Sequence, residues 1–286
     1  MYLLDTSALR SMSNELLRKL QGDRNPLHAS PYSFWEIVSH LDETQRFDYF
    51  KTLLMKFNYL QILDDPHAEM DKELLIEDRA VQRRVPDGEL IRPILGVLQG
   101  SDSLQSFYSA YTVRDSRGDS RQIRECAIRT RETLEEREGE YTRFVQKIID
   151  ALGHEELARI RDRAHHQLIL DLIIGEVEKF KRRGVSGAGD PFTEKVISNT
   201  YIYYAYIFHR ALSYLTRVGS KLDVNDYEDA NICLHLRLDT PYCIITNDRG
   251  MRDALCQTIA LLNEMKIETT LSVANVDAIT GNLTPG

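Results

Sequence analysis

An α/β fold, a doubly wound parallel sheet interrupted by a large all-helical insertion, is predicted by three features of this 286-residue sequence. Short apolar runs near both ends stop at or beside aspartates and lead into helical patterns, as strand-to-helix units do. Between them runs a long stretch of charged, helix-periodic sequence with almost no strand-like segment. Removing residues 65–216 leaves 1–64 and 217–286, in which strands alternate with helices as a parallel sheet with crossover connections requires.

Residues 2–4 read as a very short strand ending at Asp5, with Thr6 and Ser7 as natural N-caps for a helix over 8–20. SFWEIVSHL, from Ser33, reads as a second helix and 47–57 as a third. Residues 59–63 form a strand closed by Asp64, Asp65 and Pro66. From about His67 to Val218 the periodicity is helical, broken by Pro86, Pro93, Gly100, Gly118, Gly153 and the stretch GVSGAGDP at 184–191. Ile123, Ala127, Thr130 and Leu134 before Gly153, and Leu157, Ile160, Ala164, Leu168, Ile173, Val177 and Phe180 after it, predict a long antiparallel helix pair turning near Gly153. The segment 197–215 is apolar nearly all round and is expected to be the most buried helix. A helix over 225–238, a strand over 242–246, a helix over 250–265 and a last strand over 267–273 complete the order. A discontinuous core, 1–64 with 217–286, thus carries a helical insertion, 65–216.

A 42% hydrophobic composition is enough to bury a core at this length. The net charge of −8 argues against broad attraction to phosphate backbones. It is equally what carboxylates gathered around divalent cations produce. Cys126, Cys233, Cys243 and Cys256 form no CxxC pair and read as reduced thiols of a cytoplasmic protein, without a zinc site or disulfide framework. A charge after only four residues and the lack of any apolar run of about 18 residues exclude a secretory signal or membrane span from the reading.

Carboxylates carry the chemical signal. Asp5 closes the first strand, Asp248 follows the strand YCIIT, and Asp229 opens the helix that feeds it. In open α/β sheets ligands bind beyond the carboxyl ends of strands, so these acids can converge although distant in sequence. Glu36 joins them if its helix crosses the same edge. Four close carboxylates repel one another, and a divalent cation relieves the conflict. Hard oxygen ligands suit Mg²⁺ or Mn²⁺ and metal-assisted phosphodiester hydrolysis.

Taken in order, MYLLDTSAL, FWEIVSHL, EDANICLHLRL and YCIITNDRGM resemble the four acidic motifs of the PIN domain family. The resemblance covers roughly 1–64 and 217–286 and implies a PIN-like nuclease core. It implies that Asp5, Glu36, Asp229 and Asp248 are catalytic and coordinate Mg²⁺ or Mn²⁺, with Thr246 and Asn247 shaping the last corner and Thr6 or Ser7 supporting the first. It implies a hydrolase acting on nucleic acid, RNA ahead of DNA. The chain departs from the family in its long insertion, about which the family says nothing. The third metal ligand stays open, because Asp226 lies three residues before Asp229 and can share its helix face, and Asp223 lies one turn earlier.

Each acid also has a plainer role to offer. Asp5 can cap the first helix, Glu36 can face solvent, Asp223 and Asp226 can cap a helix, and Asp248 can be a turn residue in TNDRG. His165 and His166 lack the spacing of a metal pair and read as structural. The tyrosines at 201, 203, 204 and 206 read as core. Six arginines between Ala110 and Arg131, and Lys179, Lys181, Arg182 and Arg183, either hold a phosphate backbone or form a solvated helix face. The insertion would grip substrate, form a homodimer or dock a protein partner. Two rivals to a ribonuclease follow: a catalytically inactive PIN-fold scaffold acting through the insertion, and a Rossmann-like phosphatase, disfavoured because no DxDxT follows the first strand.

Overall fold

The computed structural model describes residues 1–22, 26–41, 46–74, 86–114, 120–152, 162–182, 190–216 and 226–282. The expected turn at Gly153, Asp223, residues 184–189 of the glycine-rich stretch, and Arg117 and Arg183 of the basic stretches lie outside these residues.

The strands are β1 (Tyr2–Leu4), β2 (Leu27–Ala29), β3 (Gln61–Ile62), β4 (Tyr111–Arg114), β5 (Ser120–Gln122), β6 (Cys243–Ile245) and β7 (Ser272–Ala274). Five of them form one parallel sheet in the order β3-β2-β1-β6-β7, while β4 and β5 pair separately and antiparallel. The chain therefore leaves β1 toward β2 and β3 and later returns on the other side of β1 through β6 and β7. That reversal sets a topological switch point between β1 and β6, where the carboxyl ends open a crevice.

The first half carries α1 (Thr6–Ser11), α2 (Asn14–Gly22), α3 (Pro31–Ser39), α4 (Phe47–Met55), α5 (Pro66–Leu74), α6 (Asp87–Gly100) and α7 (Leu104–Tyr108). The second carries α8 (Ile123–Leu152), α9 (Asp162–Arg182), α10 (Asp190–Thr216), α11 (Asp226–Cys233), α12 (Arg249–Glu264) and α13 (Val276–Asn282). Most of the described chain is helical, and no helix among the described residues is long and apolar enough to cross a membrane.

Strand pleat divides the core in two, since successive side chains point to opposite faces. Leu3 and Ile244 join α8 to α12, whereas Leu4, Ala29 and Ile245 join α1 to α4, α6 and α13. The helical segment 65–216 therefore supplies α6, α7 and the start of α8 to one layer and the rest of α8 with α9 and α10 to the other, and its apolar residues are continuous with those of the sheet. As its composition predicts, α10 is deeply buried, with Tyr201, Ile202, Ala205, Tyr206 and Ile207 all inaccessible. Both α9 and α8 pack on it. The expected direct pairing of those two helices is thus organised around a third, whose nearly all-round apolar surface accepts neighbours on several sides.

Three local expectations are corrected. Strand β2 escapes a pattern reading because LHA is three residues long with a histidine at its centre, and only pairing with β1 and β3 makes it a strand. The helix expected over 8–20 breaks at Met12, whose backbone is extended. The strand pair β4 and β5 lies inside a segment read as helical throughout.

The break after α1 explains Lys56. This buried lysine donates to Leu9 O and Met12 O, both at 2.6 Å, and so satisfies carbonyls that the short helix leaves without partners. Lys56→Met is expected to lower stability by about 1.5–3 kcal/mol, the range for bonds to a charged group. Urea denaturation of the two proteins measures it, and an unchanged midpoint would remove the capping role.

Candidate functional site

The switch-point crevice is built by the loops after β1 and β6. Asp5 follows β1 directly and is the N-cap of α1, so the cap role expected of Thr6 and Ser7 belongs to Asp5 itself. Its Oδ1 accepts from Ala8 N at 2.7 Å and its Oδ2 accepts from Thr246 Oγ1 at 2.6 Å, a bond joining residues 241 apart in sequence. Ser7 Oγ also donates to the Asp5 carboxylate, at 2.8 Å to Oδ2. It accepts in turn from Asn247 N at 2.8 Å and Asp248 N at 3.0 Å. One hydroxyl thus ties the corner after β1 to the corner after β6.

Asp248 is the N-cap of α12, accepting from Met251 N at 2.6 Å. Asn247 fastens the same corner, with Nδ2 donating to Ser11 Oγ at 2.8 Å and Oδ1 accepting from Val276 N at 3.2 Å. Glu36 stands on α3 with Thr6 Oγ1 donating to its Oε2 at 2.5 Å and Arg10 pairing with Oε1 at 3.1 Å. Asp229 lies in the first turn of α11.

These acids feel one another. Burial pushes the Asp5 carboxyl up to about 6 against the pull of bonds from Thr246, Ala8 and Ser7, with the Asp248 charge adding to the rise. Asp229 is raised well above the ordinary carboxylate range, first by burial and then by the charges of Asp5, Asp248, Asp226 and Glu36. Glu228 rises too, through burial, the charges of Glu36, Glu138 and Asp229, and a hydrogen bond with Glu36. Asp5, Glu36, Asp229 and Asp248 are therefore one electrostatic group, and Glu228 belongs to it. Nothing in the sequence singles out Glu228, which directly precedes Asp229 on a helix where adjacent side chains diverge by about 100°. Only the packing of α11 against α3 and α8 brings Glu228 beside Glu36 and Glu138.

Asp226 stands apart in its bonding. Arg210 Nη2 donates to its Oδ1 at 2.5 Å and the Tyr214 hydroxyl donates to its Oδ2, so both oxygens are held by α10. The guanidinium also lies 5.2 Å from the centre of the Tyr214 ring. Gly250, at the start of α12, makes room for it: a Cβ there would fall on the Arg210 guanidinium and come within 3.2 Å of Asp248 Oδ1. Arg210 lies in no sequence motif, and its helix belongs to the long helical segment between the acidic motifs.

His166 Nδ1 sits 2.7 Å from the Tyr201 hydroxyl, in keeping with a structural reading. Among the described residues, no group of three or more His, Cys, Asp or Glu side chains is arranged to hold a metal ion. Asp5, Asp248 and Glu36 direct oxygens at hydroxyls, backbone amides and Arg10. The donor set nonetheless suits a hard cation, because mutual repulsion among buried carboxyls is what positive charge relieves. No family model, curated protein or solved structure matches the chain.

Proposed function

We propose that this protein is a PIN-like, divalent-metal-dependent nuclease that hydrolyses phosphodiester bonds, RNA in preference to DNA. The observation that carries the reading is the gathering of Asp5, Glu36, Asp229 and Asp248 at the switch point of a parallel sheet, with Asp5 and Asp229 raised by burial and by neighbouring acids. These four residues would hold Mg²⁺ or Mn²⁺, which supplies positive charge to the phosphate oxygens of the transition state. Ser7 and Thr246 orient the Asp5 carboxylate, and Asp226 serves Arg210 rather than the cation. Arg10, half exposed on Glu36, is placed to turn toward a phosphate once a cation takes over the Glu36 charge.

One observation favours the rival scaffold: Asp5, Asp248 and Glu36 already have protein partners, and that of Glu36 is a cation, Arg10. Cleavage of labelled single-stranded and structured RNA and DNA, with Mg²⁺ or Mn²⁺, separates the two. The nuclease reading expects cleavage that disappears in folded Asp5→Asn and Asp248→Asn proteins. Equal cleavage by all three proteins would trace the activity to a contaminant, and retention of polymer without cleavage would favour the scaffold.

A further inference from the structure

Beside the acid group lies a cavity of about 640 Å³, in the size range of small-molecule sites. Its walls come from the same helices. Trp35 faces the cavity while Glu36 belongs to the acids, and the same split occurs at Tyr227 and Glu228 on α11 and at Arg137 and Glu138 on α8. Three helices thus each turn one side chain to the acids and the preceding one to the cavity, so cavity and acid group share a wall.

The lining has two parts of distinct chemistry. Tyr32, Trp35 and Tyr227 give an aromatic side, with the rings of Tyr32 and Tyr227 edge to face and their centroids 6.4 Å apart. Arg129 and Arg137, both exposed on α8, give a cationic side. The acids that also line it are partly committed: Asp65 Oδ1 accepts from His67 N and Ala68 N, and Asp87 Oδ2 accepts from Asp65 N. Asp71 lines the cavity as well.

We propose that this cavity binds one nucleotide unit of a single-stranded polynucleotide, its base against the aromatic side and its phosphate on Arg129 and Arg137. The assignment rests on the nuclease reading for its purpose, since a strand with its scissile phosphate at the acids would lay a neighbouring nucleotide here. An aromatic face with guanidinium groups is the combination that holds unpaired bases and backbone without demanding sequence. It also gives one of the arginines in the basic stretch, Arg129, a ligand rather than a solvated face.

Trp35 is the only tryptophan of the chain and reports on the cavity directly. The experiment titrates the full chain in EDTA with nucleoside 5′-monophosphates, with ribose 5-phosphate as the baseless control, while following Trp35 emission. A saturable change is expected with the nucleotides and a much weaker response with the sugar phosphate. Arg129→Ala and Arg137→Ala, at exposed positions, are each expected to weaken binding about tenfold or more. Lys147→Ala, which removes an exposed cation of α8 outside the cavity, is expected to bind the nucleotide as the unmodified protein does. No saturable change at millimolar nucleotide, a change indifferent to both arginines, or one lost equally with Lys147→Ala would overturn the proposal. Because the titration is made without a cation, nucleotide binding here together with no cleavage in the Mg²⁺ or Mn²⁺ assay would leave this site standing and remove the nuclease, whereas cleavage there without binding here would do the reverse.

Discussion

Asp229→Asn is expected to reduce metal-dependent cleavage by on the order of 10³-fold, as for loss of a group that stabilises transition-state charge, and yet to make the cation-free protein more stable. Asp229 titrates well above its ordinary value in the folded chain because burial and the charges of Asp5, Asp248, Asp226 and Glu36 oppose its ionisation. A carboxyl whose folded pKa is raised contributes stability that is fully present below its unfolded pKa, near 3.8, and is lost as pH rises through the folded value. Asparagine has no such loss. The advantage of the variant in EDTA should therefore be small near pH 4 and widen upward, with a slope of at most about 1.4 kcal/mol per pH unit. Asp5 adds a parallel loss in the unmodified protein between about 4 and about 6. Added Mn²⁺ should reverse the order, stabilising the unmodified protein and little affecting the variant. Thermal melts across pH, with and without Mn²⁺, measure this, and a variant less stable in EDTA at every pH would contradict the electrostatic account.

At Asp226, three residues away on the same helix and paired with Arg210 of α10, the opposite sign is expected. Arg210→Met should destabilise the protein by about 3–5 kcal/mol, because it strands the buried Asp226 carboxylate without its counter-ion. Asp226→Asn should also destabilise, in contrast to Asp229→Asn, and the Arg210→Met, Asp226→Asn double variant should recover part of the loss. Gly250→Ala belongs to the same set. Its methyl group collides with a guanidinium that Asp226 and Tyr214 hold in place, so the arginine cannot swing away at small cost. Urea denaturation of the unmodified protein, the two single variants and their double supplies the cycle, with Gly250→Ala measured beside it. Independent, additive losses at Arg210 and Asp226 would show that the pair does not act as a unit.

The contrast between Asp226 and Asp229 marks the boundary of what a sequence reveals here. Asp5, Glu36, Asp229 and Asp248 were legible because each sits in a short local pattern, an apolar strand running into an acid or an acid beside an apolar helical face. The parallel sheet followed from the alternation of those same patterns. Helix α10 announced its burial by composition. Such features depend on neighbours within a turn or a strand, and the sequence states those neighbours directly.

What only the tertiary structure decided depends on residues brought together from afar. Pairing made β2 a strand. The Arg210 contact assigned Asp226 to α10, a choice that two aspartates in the first turn of one helix cannot express between themselves. Glu228 entered the acid group, and Trp35, Tyr227 and Arg137 came to line one cavity, only because α3, α8 and α11 cross at the edge of the sheet. Periodicity specifies which face of a helix is apolar, but the polar neighbours across a crossing are set by the geometry of packing, and no stretch of this chain spells that out.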